Sequence, residues 1–241
     1  MEAATVEGGR RRGRWWVLAL LALAVAALIA SIAEISTQRP DNSRVEIDGI
    51  GDAQQIFGGV RQDGDRLGPP DAPVAIQLFD DLQCADCSEQ FEATVPALVE
   101  DLVRPGDARL EYRHYSFATN PEQLGFFGAE AAAEQGYGWQ YTYLFFRSQA
   151  EAARRGLDED FLRSVAGAIP ELDLERWQDY LDSEGGPGGE IHRILAGYEE
   201  LGRELGIRAQ PAMIVSGPDG TRTLQDSPSL AEIMAAVDAV R

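Results

Sequence analysis

The residues of this chain able to do chemistry beyond simple charge are few. There are two cysteines, Cys84 and Cys87, separated by Ala85-Asp86, and two histidines, His114 and His192. Two cysteines with two residues between them can close a small disulfide ring and reopen it. After the pair, Phe91, Val95, Leu98, Val99 and Leu102 recur at helical spacing, which places the pair at the start of a helix. There the unpaired backbone N–H groups and the helix dipole favour a thiolate at the first sulfur. A thiolate is the attacking species in thiol–disulfide exchange. Cys84 is therefore the expected nucleophile, and Cys87, one turn deeper, the resolving cysteine.

Two other uses of these cysteines compete. A purely structural disulfide is one, although so short a loop removes little unfolded-state entropy. Zinc is the other, since Cys84, Cys87, His114 and His192 make one Cys2His2 set. However, 26 residues lie between Cys87 and His114 and 77 between the histidines, so the compact spacing of zinc modules is absent. No metal is expected. The reading needs no cofactor other than the redox-active disulfide itself.

The elements that would position the pair are legible in the pattern. Gly68-Pro69-Pro70-Asp71-Ala72-Pro73 is a turn cluster, and Val74–Phe79 an apolar run of strand length. The helix after the cysteines contains Pro96, where a kink is expected. Arg109–Phe117 alternates as a second strand, with Leu110, Tyr112 and His114 on one face. Residues 121–205 read as a helical block with a new helix starting at Asp158, a Gly185–Gly189 loop, and a last stripe stopped by Gly206. Its aromatic residues between Phe126 and Phe146 are expected to form the core of the block. Ala212–Val215 and Thr221–Leu224 flank a Gly217-Pro218-Asp219-Gly220 turn as a hairpin. Ser229 and Glu232 have capping-box spacing before a final helix. With the helical block set aside, the order is βαβ followed by ββα. This predicts an α/β protein of thioredoxin fold with a helical insertion at about 120–206.

Longer motifs carry a resemblance. Leu67-Gly68-Pro69-Pro70-Asp71-Ala72-Pro73-Val74, Leu78-Phe79-Asp80-Asp81-Leu82-Gln83-Cys84, Tyr112-Arg113-His114-Tyr115 and Gly206-Ile207-Arg208-Ala209-Gln210-Pro211-Ala212-Met213-Ile214-Val215 follow one another. Together they resemble the DsbA-like, thioredoxin-fold disulfide oxidoreductases, in particular the membrane-anchored type of actinobacterial and Gram-positive envelopes. The resemblance spans about residues 56–241. It implies that Cys84 and Cys87 are catalytic, that Pro211 is a cis-proline facing them, and that the backbone at Gln210 pairs with an extended substrate. His114 is either a satisfied buried residue or a tuner of the redox pair. The sequence departs from the family at Ala85-Asp86, where proline and often histidine are usual, and at Gln210, where threonine or valine is commoner. A carboxylate at Asp86 opposes a thiolate at Cys84 and points to a weaker oxidant. It also suits the first turn of a helix.

The N-terminus sets the compartment. Arg10, Arg11, Arg12 and Arg14 precede Trp15 and Trp16, and from Val17 to Ala33 only Ser31 is polar. About 20 such residues suffice to span a bilayer. The arginines mark a cytoplasmic flank, and the tryptophans suit the headgroup region. The expected organisation is a cytoplasmic segment 1–14, one transmembrane helix 15–36, a linker 37–55 and an extracytoplasmic domain 56–241. A cleaved signal peptide is the rival, with Ser31-Ile32-Ala33 as the small-x-small site. Either route places the cysteines where disulfides persist.

Composition narrows the partners. All 21 basic residues are arginine against 40 acidic ones, a net charge of −19, which argues against nucleic-acid binding. Without residues 1–39 the balance is 16 basic to 37 acidic, or −21. An apolar fraction of 44% excludes a wholly disordered chain. Walker, nucleophile-elbow, zincin and EF-hand motifs are absent. The expectation is an extracytoplasmic thiol–disulfide oxidoreductase, acting chiefly as an oxidase on unfolded exported proteins and reoxidised by a membrane redox partner. The alternative is a membrane-anchored peptide-binding or chaperone-like module with a structural disulfide.

Overall fold

The computed structural model describes residues 47–117 and 124–241. The segments expected as cytoplasmic (1–14) and transmembrane (15–36), and most of the expected linker, lie outside the described residues. Among the described residues, no helix is long and apolar enough to cross a membrane.

Helix α1 (Ile50–Phe57) opens the described chain, and the short strands β1 (Gln62–Asp63) and β2 (Arg66–Leu67) form a tight hairpin after it. The linker boundary expected at residue 55 falls inside α1. Ala53 and Phe57 are buried on one side of α1, and Ile50 and Ile56 pack against the core. The polar character of residues 37–49 conceals this amphipathic turn. Strand β3 (Val74–Asp80) leads to α2 (Ala85–Leu98), and β4 (Ala108–His114) returns parallel to β3. The insertion comprises α3 (Leu124–Ala133), α4 (Gly138–Arg147), α5 (Gln149–Arg155), α6 (Glu159–Gly167), α7 (Leu174–Glu184) and α8 (Glu190–Glu204). The hairpin β5 (Ala212–Gly217) and β6 (Gly220–Gln225) and helix α9 (Leu230–Asp238) complete the chain.

The sheet order is β1-β2-β4-β3-β5-β6. Among the described strands only β3 and β4 run parallel, as a βαβ crossover through α2 requires. Alternation along the strands divides the core in two. Ile76, Leu78, Met213 and Val215 face the larger cluster, together with Cys87 and Phe91 of α2. Phe79, Ala212 and Ile214 face the opposite side, where Tyr115 and Ile207 cover them. Both faces of β3 are thus covered, which accounts for its nearly continuous apolar run.

Among the described residues, the insertion has no separate core. Trp139, Tyr141, Phe145, Phe146, Phe161 and Trp177 belong to the same cluster as Leu78 and Phe91. The Trp177 indole N–H donates to the Gly128 carbonyl at 2.9 Å. At Pro96 the helix is not broken, although the ring leaves one carbonyl without its usual donor. It continues to Leu98 and then widens into a π-helical turn, Val99–Val103. The Arg104 N–H reaches the Val99 carbonyl at 2.9 Å. The capping predictions hold: Asp158 accepts from the Phe161 N–H, and Ser229 and Glu232 form a reciprocal capping box.

Candidate functional site

Strand β3 ends at Asp80, and four residues carry the chain over to α2. Asp81 holds this turn. Its carboxylate accepts from the Gln83 N–H at 2.8 Å and from the Ser116 hydroxyl at 2.6 Å, and its carbonyl accepts from the Cys84 N–H at 3.0 Å. The fixed turn delivers Cys84 to the N-cap position of α2. There its sulfur accepts from the Cys87 N–H at 3.1 Å. One backbone donor of the first helical turn is thereby directed at the sulfur that would carry negative charge.

A disulfide joins Cys84 and Cys87, with Cα atoms 5.2 Å apart. The two sulfurs are unequal in access. Cys84 is half-buried and flanked by exposed Gln83, Ala85 and Asp86, whereas Cys87 is fully buried in the core. The sulfur open to approach is therefore that of Cys84, the expected nucleophile, while that of Cys87 is shielded.

Of the cis-proline expectation, the isomer is observed. The Gln210–Pro211 peptide bond is cis. Ala212 pairs with Phe79, so this bond lies at the end of the sheet from which the cysteine loop departs. The Gln225 side chain accepts from the N–H groups of Arg208 and Ala209 at 2.6 and 3.1 Å and braces the loop. Pro211 is buried, and Gln210 is half-buried.

Asp86 is exposed in the first turn of α2, where its charge complements the helix end. His114 is buried at the end of β4, opposite Asp80 in the strand register, with its ring stacked on Phe126 at 4.8 Å. His192 lies elsewhere, edge-on to Phe127 at 5.0 Å. The structure does not bring the four zinc candidates together, and no group of described residues is arranged to hold a metal.

Two features of the site were not legible in the sequence. The Asp80 side chain is fully buried, and among the described residues its carboxyl oxygens have no hydrogen-bond partner. Burial, reinforced by Asp81, holds its carboxyl well above the usual carboxylate range. Gln149 of α5 donates to the carbonyls of Leu82 and Cys84 at 2.6 and 3.1 Å, tying the insertion to the cysteine loop. The strand period could have placed Asp80 with Ile76 and Leu78. Nothing in the local pattern marks Gln149, which lies 65 residues from Cys84.

The comparisons agree with this geometry. A family described as Thioredoxin matches residues 62–239. A relative from Bacillus cereus, a probable disulfide bond formation protein D, is 24% identical over 154 residues, which cover 63% of this chain and 69% of the relative. The oxidised crystal structure of BdbD from Bacillus subtilis is similar with a TM-score of 0.57 and 18% identity, covering 74% of this chain and 96% of that one. DsbA from Chlamydia trachomatis is similar with a TM-score of 0.58 and 18% identity, covering 72% and 89%. At such identities the two structures establish the fold. With the family match, the relative and the unequal cysteine pair taken together, this chain belongs to the thioredoxin family and is a DsbA-like thiol–disulfide oxidoreductase.

Proposed function

We propose that the chain is a membrane-anchored, extracytoplasmic oxidase of exported protein thiols. The observation that carries this reading is the half-buried Cys84 at the N-cap of α2, disulfide-bonded to a buried Cys87. A client thiolate attacks the Cys84 sulfur. The Cys84–Cys87 bond breaks and Cys87 leaves as the thiolate. A second client thiolate then attacks the client sulfur of the mixed disulfide and releases Cys84. The client gains one disulfide, and two electrons and two protons remain on the cysteine pair. A quinone-linked membrane partner, as the resemblance implies, takes them up and restores the disulfide.

The other residues serve this step. The backbone at Gln210, beside cis-Pro211, pairs with the extended client as an added strand. Asp86 lowers the oxidising power by opposing the Cys84 thiolate, and His114, at the end of β4 opposite Asp80, tunes the pair. The apolar segment 15–36 anchors the chain, with the cysteines outside the cytoplasm.

The test is the redox equilibrium of the purified protein in glutathione buffers, scored by thiol alkylation. A potential near about −120 mV is expected of a disulfide donor. A value near about −270 mV reverses the electron flow and makes the protein a reductant. Resistance to reduction throughout that range rejects a redox role for the pair.

A further inference from the structure

Helix α4 ends at Arg147 and α5 begins at Gln149, with the buried Ser148 between them. This corner touches the chain on both sides of the ring closed by Cys84 and Cys87. Beyond Cys87, the Ser88 hydroxyl donates to the Phe146 carbonyl at 3.2 Å. At Cys84, the half-buried Gln149 donates from one amide nitrogen to the Leu82 carbonyl at 2.6 Å and to the Cys84 carbonyl at 3.1 Å. Both neighbours are carbonyls, which only accept, so the nitrogen of the amide and not its oxygen must face them.

We propose that Gln149 is a positioning residue for the redox pair: its amide fixes and polarises the peptide unit that opens α2, and so stabilises the ionised sulfur of reduced Cys84. The proposal rests on the exchange role given to Cys84 above and holds for either direction of electron flow. The Cys84 carbonyl already accepts the first helical bond, from the Ser88 N–H at 3.1 Å. Gln149 occupies its second lone pair. A donor at a carbonyl polarises the N–H at the other end of the same peptide unit. That N–H belongs to Ala85, the first residue of α2, and the first donors of a helix have no partner within it. The positive end of the helix that Cys84 caps is thereby strengthened.

The Leu82 bond acts on geometry. The Leu82 and Cys84 carbonyls converge on one nitrogen, and two such dipoles repel when no donor lies between them. The turn that sets Cys84 at the N-cap therefore depends on a side chain 65 residues away. The residues inside the ring give no such help. Ala85 has no polar group in its side chain, and Asp86 brings a carboxylate. Neutral donors carry the stabilisation instead: the Cys87 N–H on the sulfur at 3.1 Å, and the Gln149 amide on the adjoining carbonyl.

The disulfide is uncharged, so the effect of Gln149 falls on the reduced state. Two glutathione thiols break the Cys84–Cys87 bond and leave as one glutathione disulfide. Cys84 remains as the thiolate, its proton released to solvent, and Cys87 remains as the thiol. What favours the thiolate favours reduction and makes the pair a stronger oxidant.

The experiment uses the full chain in detergent, as wild type, Gln149→Leu and Gln149→Glu. Leucine removes the donors at similar bulk, and glutamate keeps the shape while replacing the donors with a carboxylate. Two quantities are read: the glutathione equilibrium, and the pH dependence of the alkylation rate at Cys84 in the reduced protein. Gln149→Leu should shift the equilibrium about tenfold toward the disulfide, equivalent to a potential about 30 mV more negative, and Cys84 should ionise at higher pH. Gln149→Glu should move both at least as far. Urea unfolding of each redox form separates this from a simple loss of packing, because the reduced form should lose more stability than the oxidised one. Equal losses in the two forms, an unshifted equilibrium or an unshifted Cys84 titration each overturn the proposal and leave the exchange role standing. If neither variant folds, the side-chain amide resonances of Gln149 in the reduced wild type give the answer. They should move as Cys84 titrates, and constancy overturns the proposal. A wild-type pair that glutathione does not reduce rejects the exchange role, and the proposal with it.

Discussion

At the scale of single residues, function rests on an asymmetry between two sulfurs three positions apart. Cys84 is reachable and caps a helix, whereas Cys87 is buried and bonded to it. Cys84→Ser is expected to abolish exchange with any thiol while the circular-dichroism spectrum stays native. Cys87→Ser, incubated with a mixed-disulfide reagent, should accumulate a covalent adduct at Cys84, visible by intact mass, because no resolving thiol remains. Asp86 acts on the same sulfur through its charge. Asp86→Asn should make the pair more oxidising by about 30 mV, the equivalent of about one pKa unit for a two-electron couple. An unchanged potential would mean that solvent screens Asp86 from Cys84.

Asp80 presents a different residue-scale balance. Its buried carboxyl is held well above its usual range by desolvation first and by Asp81 second. A raised folded-state value means that the folded protein holds this proton more tightly than the unfolded chain. Stability is therefore present at low pH and falls as pH rises toward the folded value. Asp80→Asn removes that liability. Its stability relative to wild type should increase as pH rises above the ordinary carboxylate range in urea titrations; a constant difference would show that Asp80 does not titrate with folding.

At the scale of elements, the site depends on how closely the insertion meets the βαβ unit. Gly125 of α3 lies against the Phe145 ring of α4 and the side chain of Leu82, which precedes the cysteines by two residues. A methyl group there would sit within 2.7 Å of the ring. Gly125→Ala should cost about 1–3 kcal/mol through overpacking, read as a shift in urea midpoint at constant m. The same change displaces Phe145, so the insertion cannot be altered here without disturbing the cysteine loop.

At the scale of the whole molecule, charge is the dominant property. Where acidic groups crowd around Glu130, burial pushes its carboxyl up to about 7, with Glu190 and Glu134 adding to the effect and Arg113 opposing it. The ordinary value for this group is 4.5. Between those two values the folded state binds more protons than the unfolded one. The contribution of Glu130 therefore favours folding below about pH 4.5 and is lost as pH rises through about 7. The full effect is on the order of 3 kcal/mol. Glu130→Gln should be more stable than wild type at pH 8, with the difference closing toward pH 5; parallel pH profiles for the two proteins would contradict this.

Much of this architecture was written in local sequence. The strand run Val74–Asp80, the capping residues Asp158 and Ser229, the stop at Gly206 and the Gly217–Gly220 turn each depend on neighbours within a few positions. Periodicity, capping and turn chemistry act at that range, so the element order and the thioredoxin-type topology followed. The place of Cys84 at a helix start was legible for the same reason, since neighbouring residues define it. Only the tertiary structure decided the rest. It buried Asp80, set His114 against Phe126 rather than in a metal site, carried α1 back to Ile50, and brought Gln149, Phe145 and Leu157 of the insertion to the side of Cys84. These depend on contacts between residues far apart in the chain. They are fixed by which apolar faces can be buried together, and a local pattern shows that a face exists without showing what covers it.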